Sequence, residues 1–63
     1  MASETRYAIV LKMLKARGYM LGRVRGSHHV FTKPGELPLS IPVHKGKVKS
    51  YYVRQIEKIQ IDS

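Results

Sequence analysis

Two turn signals punctuate the middle of the chain so closely that the segments beside them can pair only with their immediate neighbours. Gly26-Ser27 is the first: a glycine that reaches backbone angles closed to other residues, then a hydroxyl that can bond back to the chain. Lys33-Pro34-Gly35-Glu36 is the second, with Pro and Gly at the two central positions of a β-turn. Three strands are therefore predicted, over residues 19–25, 28–32 and 37–43. In the first, Met20, Gly22 and Val24 alternate with Leu21, Arg23 and Arg25. In the third, Leu37, Leu39, Ile41 and Val43 point one way and Pro38, Ser40 and Pro42 the other. Prolines offer no N–H to a ladder, which suits an edge strand. Connections this short make the sheet an antiparallel meander.

On either side the hydrophobic period lengthens. Tyr7, Val10, Leu11 and Leu14 recur at i, i+3, i+4 and i+7, predicting a helix over residues 4–17. Ser3 is its expected cap, Glu4 lies in its first turn and Gly18 ends it. Lys12, Lys15 and Arg17 are expected to face water. After a cationic loop, His44-Lys45-Gly46-Lys47, a second helix is predicted over residues 48–61, with Ser50 as cap and Tyr52, Val53 and Ile56 along one side. The order is α-β-β-β-α. It describes one α+β domain over residues 1–63, with two helices on one face of a three-stranded antiparallel sheet and the other face open. The double-stranded-RNA-binding fold has this arrangement, which by itself assigns no function.

Charge narrows the partners. Twelve Lys and Arg against four Asp and Glu give +8, so a polyanion is the expected partner, nucleic acid first and an acidic protein second. A chain of 63 residues buries only about 60% of the surface its unfolded form exposes, and without cysteine no disulfide supplements that core. The same absence excludes thiolate metal sites and a cysteine nucleophile. No apolar run approaches the ~20 residues of a membrane span, and residues 1–6 are too polar for a secretory signal. The expectation is a soluble cytoplasmic protein.

The chemistry left open is narrow. Glu4, Glu36, Glu57 and Asp62 are scattered, so no paired acid/base site or carboxylate metal cluster follows, and three histidines without acidic companions make a poor zinc set. Neither a metal nor another cofactor is expected. What remains is histidine acting on its own as acid or base near neutral pH, with Lys and Arg steadying phosphate charge. That set suits RNA, whose 2′-hydroxyl supplies the nucleophile. His28, set by the Gly-Ser turn at the mouth of a strand, is the candidate acid/base, and His44 a candidate second one. Arg23, Arg25, Ser27, His29, Lys33, Lys45, Lys47 and Lys49 are candidates to hold the RNA. An ordinary strand-start histidine bonded to its turn is an equal alternative for His28, and His29 is expected to pack or bind. Val30 and Phe31 are adjacent, so only one lies on the core face, and the pattern leaves open which. Of Tyr51 and Tyr52, one is expected in the core while the other can stack on a base.

Taken together, Arg23-Val24-Arg25, Gly26-Ser27-His28-His29-Val30-Phe31 and Ile41-Pro42-Val43-His44 with its glycine-lysine loop resemble the HicA (YcfA-like) toxins. The likeness extends to Val53-Arg54-Gln55-Ile56. It implies the double-stranded-RNA-binding fold, a metal-independent endoribonuclease acting on mRNA, and neutralisation by a HicB-type antitoxin expected to be acidic. The family's catalytic histidine, directly after the Gly-Ser pair, falls on His28. Where many members carry Pro-Gly-Thr before the second helix, this chain has Ser50-Tyr51-Tyr52. The alternative is a non-catalytic RNA-binding module of the same fold, and a weaker one a basic adaptor for an acidic protein.

Overall fold

The computed structural model describes residues 3–61; Asp62, one of the four carboxylates, lies outside them, as do residues 1, 2 and 63. The elements run β1 (Glu4–Arg6), α1 (Tyr7–Ala16), β2 (Met20–Arg25), β3 (His28–Thr32), β4 (Leu39–Pro42), β5 (Lys47–Lys49) and α2 (Ser50–Glu57). The expected α-β-β-β-α order stands, with the antiparallel sheet ordered β2-β3-β4 and the proline-bearing β4 at its edge. A second antiparallel pair, β1 with β5, was not anticipated.

That pair corrects both helix starts. Residues 4–6, and residues 48 and 49 together with Lys47 of the expected loop, form strands where the two helices were expected to begin, with Thr5 opposite the buried Val48. Ser3 therefore does not cap α1 and Glu4 is not in its first turn; Arg6 and Lys49 occupy the N-cap positions, and neither helix has a side-chain cap. The Tyr7 N–H instead donates to the Gly46 carbonyl at 2.8 Å, so a neighbouring hairpin satisfies a donor that a cap would otherwise take. β-Branched Thr5 and Val48 suit this pleated pairing better than a frayed helix end.

The helix ends follow local chemistry. Gly18 adopts φ 85, Tyr19 N–H reaches back to Leu14 O at 3.0 Å, and Gly18 N–H bonds to Lys15 O at 3.0 Å. This is the Schellman arrangement, in which a left-handed glycine lets two orphan carbonyls find donors. α2 ends at Glu57, earlier than the expected residue 61, and the chain tightens through Ile59 N–H to Ile56 O at 2.9 Å. Arg17 does not ride outside as expected. It is 8% exposed, and its guanidinium donates to Ile59 O and Met13 O, both at 2.9 Å. The cation thus satisfies a carbonyl just past each helix's last regular turn or within it, tying the two C-terminal ends together.

The core gathers Val10 and Leu14 of α1, Tyr19, Phe31 of β3, Ile41 of β4, Val48 of β5 and Ile56 of α2. Phe31, not Val30, takes the core face. Cover by the helices stops short of β2, all of whose residues are exposed, including Met20, Leu21 and Val24. The simple alternation expected there also fails. Leu21 pairs with Phe31 but Arg23 pairs with Val30, leaving Gly22 as an extra residue in a bulge. Paired residues share a face, so Leu21 and Val24 lie on the helix side while Met20, Arg23 and Arg25 lie on the open side. A Cβ at Gly22 would meet Thr32 Cγ2 at 3.3 Å and the Val30 carbonyl at 3.4 Å, a tight fit that a larger residue would relieve only by shifting Thr32. Among the described residues no helix is long and apolar enough to cross a membrane.

Candidate active site

The Gly26-Ser27 turn fixes the site's first wall. Gly26 takes φ 57, a left-handed angle that disfavours a side chain although there is open space for one. The Ser27 carbonyl accepts from Val43 N–H at 2.7 Å and faces His29 Nδ1 at 3.3 Å. The turn is thereby pinned to the residue just past β4. His28 starts the central strand beside it, opposite Arg25 on one flank and Pro42 on the other. Its side chain is exposed on the open face, in a row with Arg25 and Pro42, with Arg23, Val30 and Ser40 in the next row. His29 points the other way, half-buried, with its ring edge-on to Tyr7 at 4.7 Å. The two adjacent histidines therefore have separate fates, one packed and one presented.

The second wall comes from the hairpin after β4. His44 and Lys47 exchange backbone hydrogen bonds of 3.0 and 2.9 Å, and the residues between them, Lys45 and Gly46, have φ of 53 and 75. Positive φ at both central positions is the signature of a type I′ turn, whose twist suits a two-residue hairpin. This tight loop follows His44 directly and leads the chain into β5. Val48 is buried, so Lys47 and Lys49 on either side of it face outward.

Ser27, His28, Pro42, His44, Lys49 and Tyr52 line one pocket of about 280 Å³. It holds both candidate acid/base histidines and one of the candidate lysines. Beside it on the open face, a cleft of about 380 Å³ is lined by Arg23 and Arg25 with Gly22, Val30, Thr32 and Pro38. His28 sits between the two hollows, because its strand is flanked by the one that carries the arginines and the one that leads to His44. Among the described residues, the side chains of Arg23, Arg25, His28, His44 and Lys49 form no hydrogen bond or ion pair with the protein. In a chain of net charge +8, cations with no internal partner at this place are an electrostatic invitation to phosphate.

Other candidates lie elsewhere. Lys33 is at the opposite end of β3, where Nζ donates to Arg17 O at 2.9 Å and stands 5.8 Å from the Tyr19 ring centroid. Lys45 is at the hairpin apex and Lys47 pairs with Arg6 across β1, both outside the pocket lining. Tyr52 and Pro42 belong to the pocket although sequence reasoning gave neither a place beside His28. For Pro42 the signal was present, since it shares the outward phase of β4 with Ser40. For Tyr52 it was hidden by the unforeseen β5, which turns the start of α2 toward the sheet end.

No curated protein and no solved structure matches the chain. A family model described as "HicA toxin of bacterial toxin-antitoxin" matches residues 8–61, from early in α1 to beyond α2 and across every residue of the pocket. The chain therefore belongs to the HicA toxin family, the toxin half of a toxin–antitoxin pair.

Proposed function

We propose that the chain is an endoribonuclease that cleaves mRNA in the cytoplasm without a metal, with His28 as the proton-transfer group and His44 as its partner. The observation that carries this reading is the meeting of His28 and His44 in one open pocket with Lys49. In-line attack by a ribose 2′-hydroxyl needs a base on one side of the phosphorus, an acid on the other and a cation near the non-bridging oxygens. One imidazole takes the proton from O2′, the O2′–P bond forms, the P–O5′ bond breaks, and the second imidazole returns a proton to O5′. The products are a 2′,3′-cyclic phosphate and a 5′-hydroxyl, and the two histidines exchange protonation states. Positioned proton transfer of this kind contributes on the order of 10²–10⁴-fold. Lys49 stabilises the extra negative charge on the phosphate as it develops. Arg23 and Arg25 in the neighbouring cleft hold the strand beyond the cut.

The antitoxin that this family pairs with its toxins is, in this reading, an acidic HicB-type protein steered to the +8 surface.

The test is cleavage of single-stranded RNA by the purified chain and by His28→Ala. The variant should lose 10²–10⁴-fold in rate while melting within a degree or two of the parent, since His28 is exposed and unpartnered. Equal cleavage by both would remove His28 from the chemistry. RNA that binds the parent yet stays intact would leave the non-catalytic RNA-binding reading in its place. A bell-shaped pH–rate profile that loses one limb in His44→Ala would assign the second proton to His44.

A further inference from the structure

Resting on that reading of the pocket, we propose that Tyr52 is the platform of a nucleobase subsite, so that the chain takes an unpaired base, a purine in preference, beside the phosphate held by His28 and Lys49. The pocket is about 280 Å³, near the lower end of the ~300–1,000 Å³ of small-molecule sites and roomier than a phosphate requires. Its lining is divided in kind. Ser27, His28, His44 and Lys49 are polar or cationic, while Pro42 and Tyr52 present flat apolar rings. A nucleotide has the same division, an anion at one end and a π-face at the other.

Tyr52 is suited to the role by its setting. It is half-buried and packed against the core, and the Tyr51 ring meets it edge-on at 5.0 Å and 89°. A ring held in this way has lost its rotamer freedom before any ligand arrives, so stacking on it orders little more than the base. Tyr51, by contrast, is 63% exposed and lies outside the pocket lining. A base can reach Tyr52 only if it has left its duplex, and stacking requires no hydrogen-bond readout, so selectivity follows the size of the π-face. The nucleic acid then meets the His28 end of the sheet together with the first turn of α2.

The experiment uses single-stranded deoxyribonucleotide octamers, dA and dC, which lack the 2′-hydroxyl and cannot be cleaved by this route. Binding separates the base subsite from the nuclease chemistry. Tyr52→Phe should bind dA octamer within about twofold of the parent, and Tyr52→Leu should bind it on the order of 10- to 100-fold more weakly. The salt dependence should be unchanged in both and Tyr51→Leu silent. Tyr52→Trp gives a second readout that does not depend on a weakened variant folding well: the chain has no other tryptophan, and its fluorescence should quench on dA more than on dC. Unaltered affinity in Tyr52→Leu, no quenching in Tyr52→Trp, or a DNA duplex binding as tightly as the single strand would each overturn the subsite. Quenching with no RNA cleavage by the parent would support the subsite while removing the nuclease reading. Cleavage that is indifferent to Tyr52 would do the reverse.

Discussion

The two ends of β3 use the same kind of side chain to opposite purposes. At the Thr32 end, Arg17 and Lys33 are engaged by the protein itself: the guanidinium by Ile59 O and Met13 O, the ammonium by Arg17 O and the Tyr19 ring. At the His28 end, Arg25, Lys49 and both pocket histidines stand in solvent without a hydrogen-bonding partner among the described residues. A cation that answers an orphan carbonyl contributes to folding and has little left for a ligand. One that answers nothing costs a little in self-repulsion and is available to phosphate. Net charge alone conceals this division, which sets engaged cations at one end of a five-residue strand and unengaged ones at the other.

Variants that exchange the two roles put the contrast at risk. The largest effect should come from Arg17→Met, which leaves the Ile59 and Met13 carbonyls without their donor; unfolding free energy should fall by about 3 kcal/mol in urea titration. An unchanged midpoint would show that water serves those carbonyls equally well. Next, the double variant Arg25→Gln, Lys49→Gln should bind single-stranded RNA about tenfold more weakly at low salt, its log–log salt slope shallower by about 1.4. Its melting should stay near the parent's, and a large drop would place these cations in the folding column instead. Lys33→Met should lower stability by about 1 kcal/mol and leave the salt slope alone.

The smallest effect concerns the packed histidine's neighbour. The Tyr7 hydroxyl is buried with no hydrogen-bond partner, and burial raises its pKa above the ordinary value near 10 by penalising the phenolate. The unfolded chain therefore ionises first as pH climbs. The stability associated with the neutral phenol is complete below pH 10 and drains away as pH rises from there through the folded value. Tyr7→Phe should match or exceed the parent by up to about 1 kcal/mol at pH 7 and lose less stability between pH 9 and 11. A phenylalanine variant that is less stable at neutral pH would reveal a hydroxyl contact.

How much of this was readable from the chain divides along physical lines. Turns written in Gly, Ser and Pro placed β3 and its neighbours, because those residues act through their own backbone preferences. Gly18 likewise announced the end of α1. The β1–β5 pair was not readable, since three-residue strands carry no period and their pairing is a tertiary event. The bulge at Gly22 was hidden for a related reason: one inserted residue reverses every face assignment downstream while leaving composition untouched. Arg17 read as a surface cation because nothing local reveals that Ile59, far along the chain, supplies its acceptor. At the site, His28 and His44 were both candidates by type, but their meeting depends on the type I′ hairpin, and Tyr52 joined them through β5.

The clamp between the two ends of the fold carries a consequence for how the pocket holds its shape. His28 comes with the Gly26-Ser27 turn, whereas His44, Lys49 and Tyr52 come from further along the chain, and the hairpin that seats them is tied through Gly46 and β5 to β1 and Tyr7. One wall of the cup is thus fixed by local turn chemistry and the other by a long-range latch, so a change in three residues near the start of the chain reaches the cup without touching any residue that lines it.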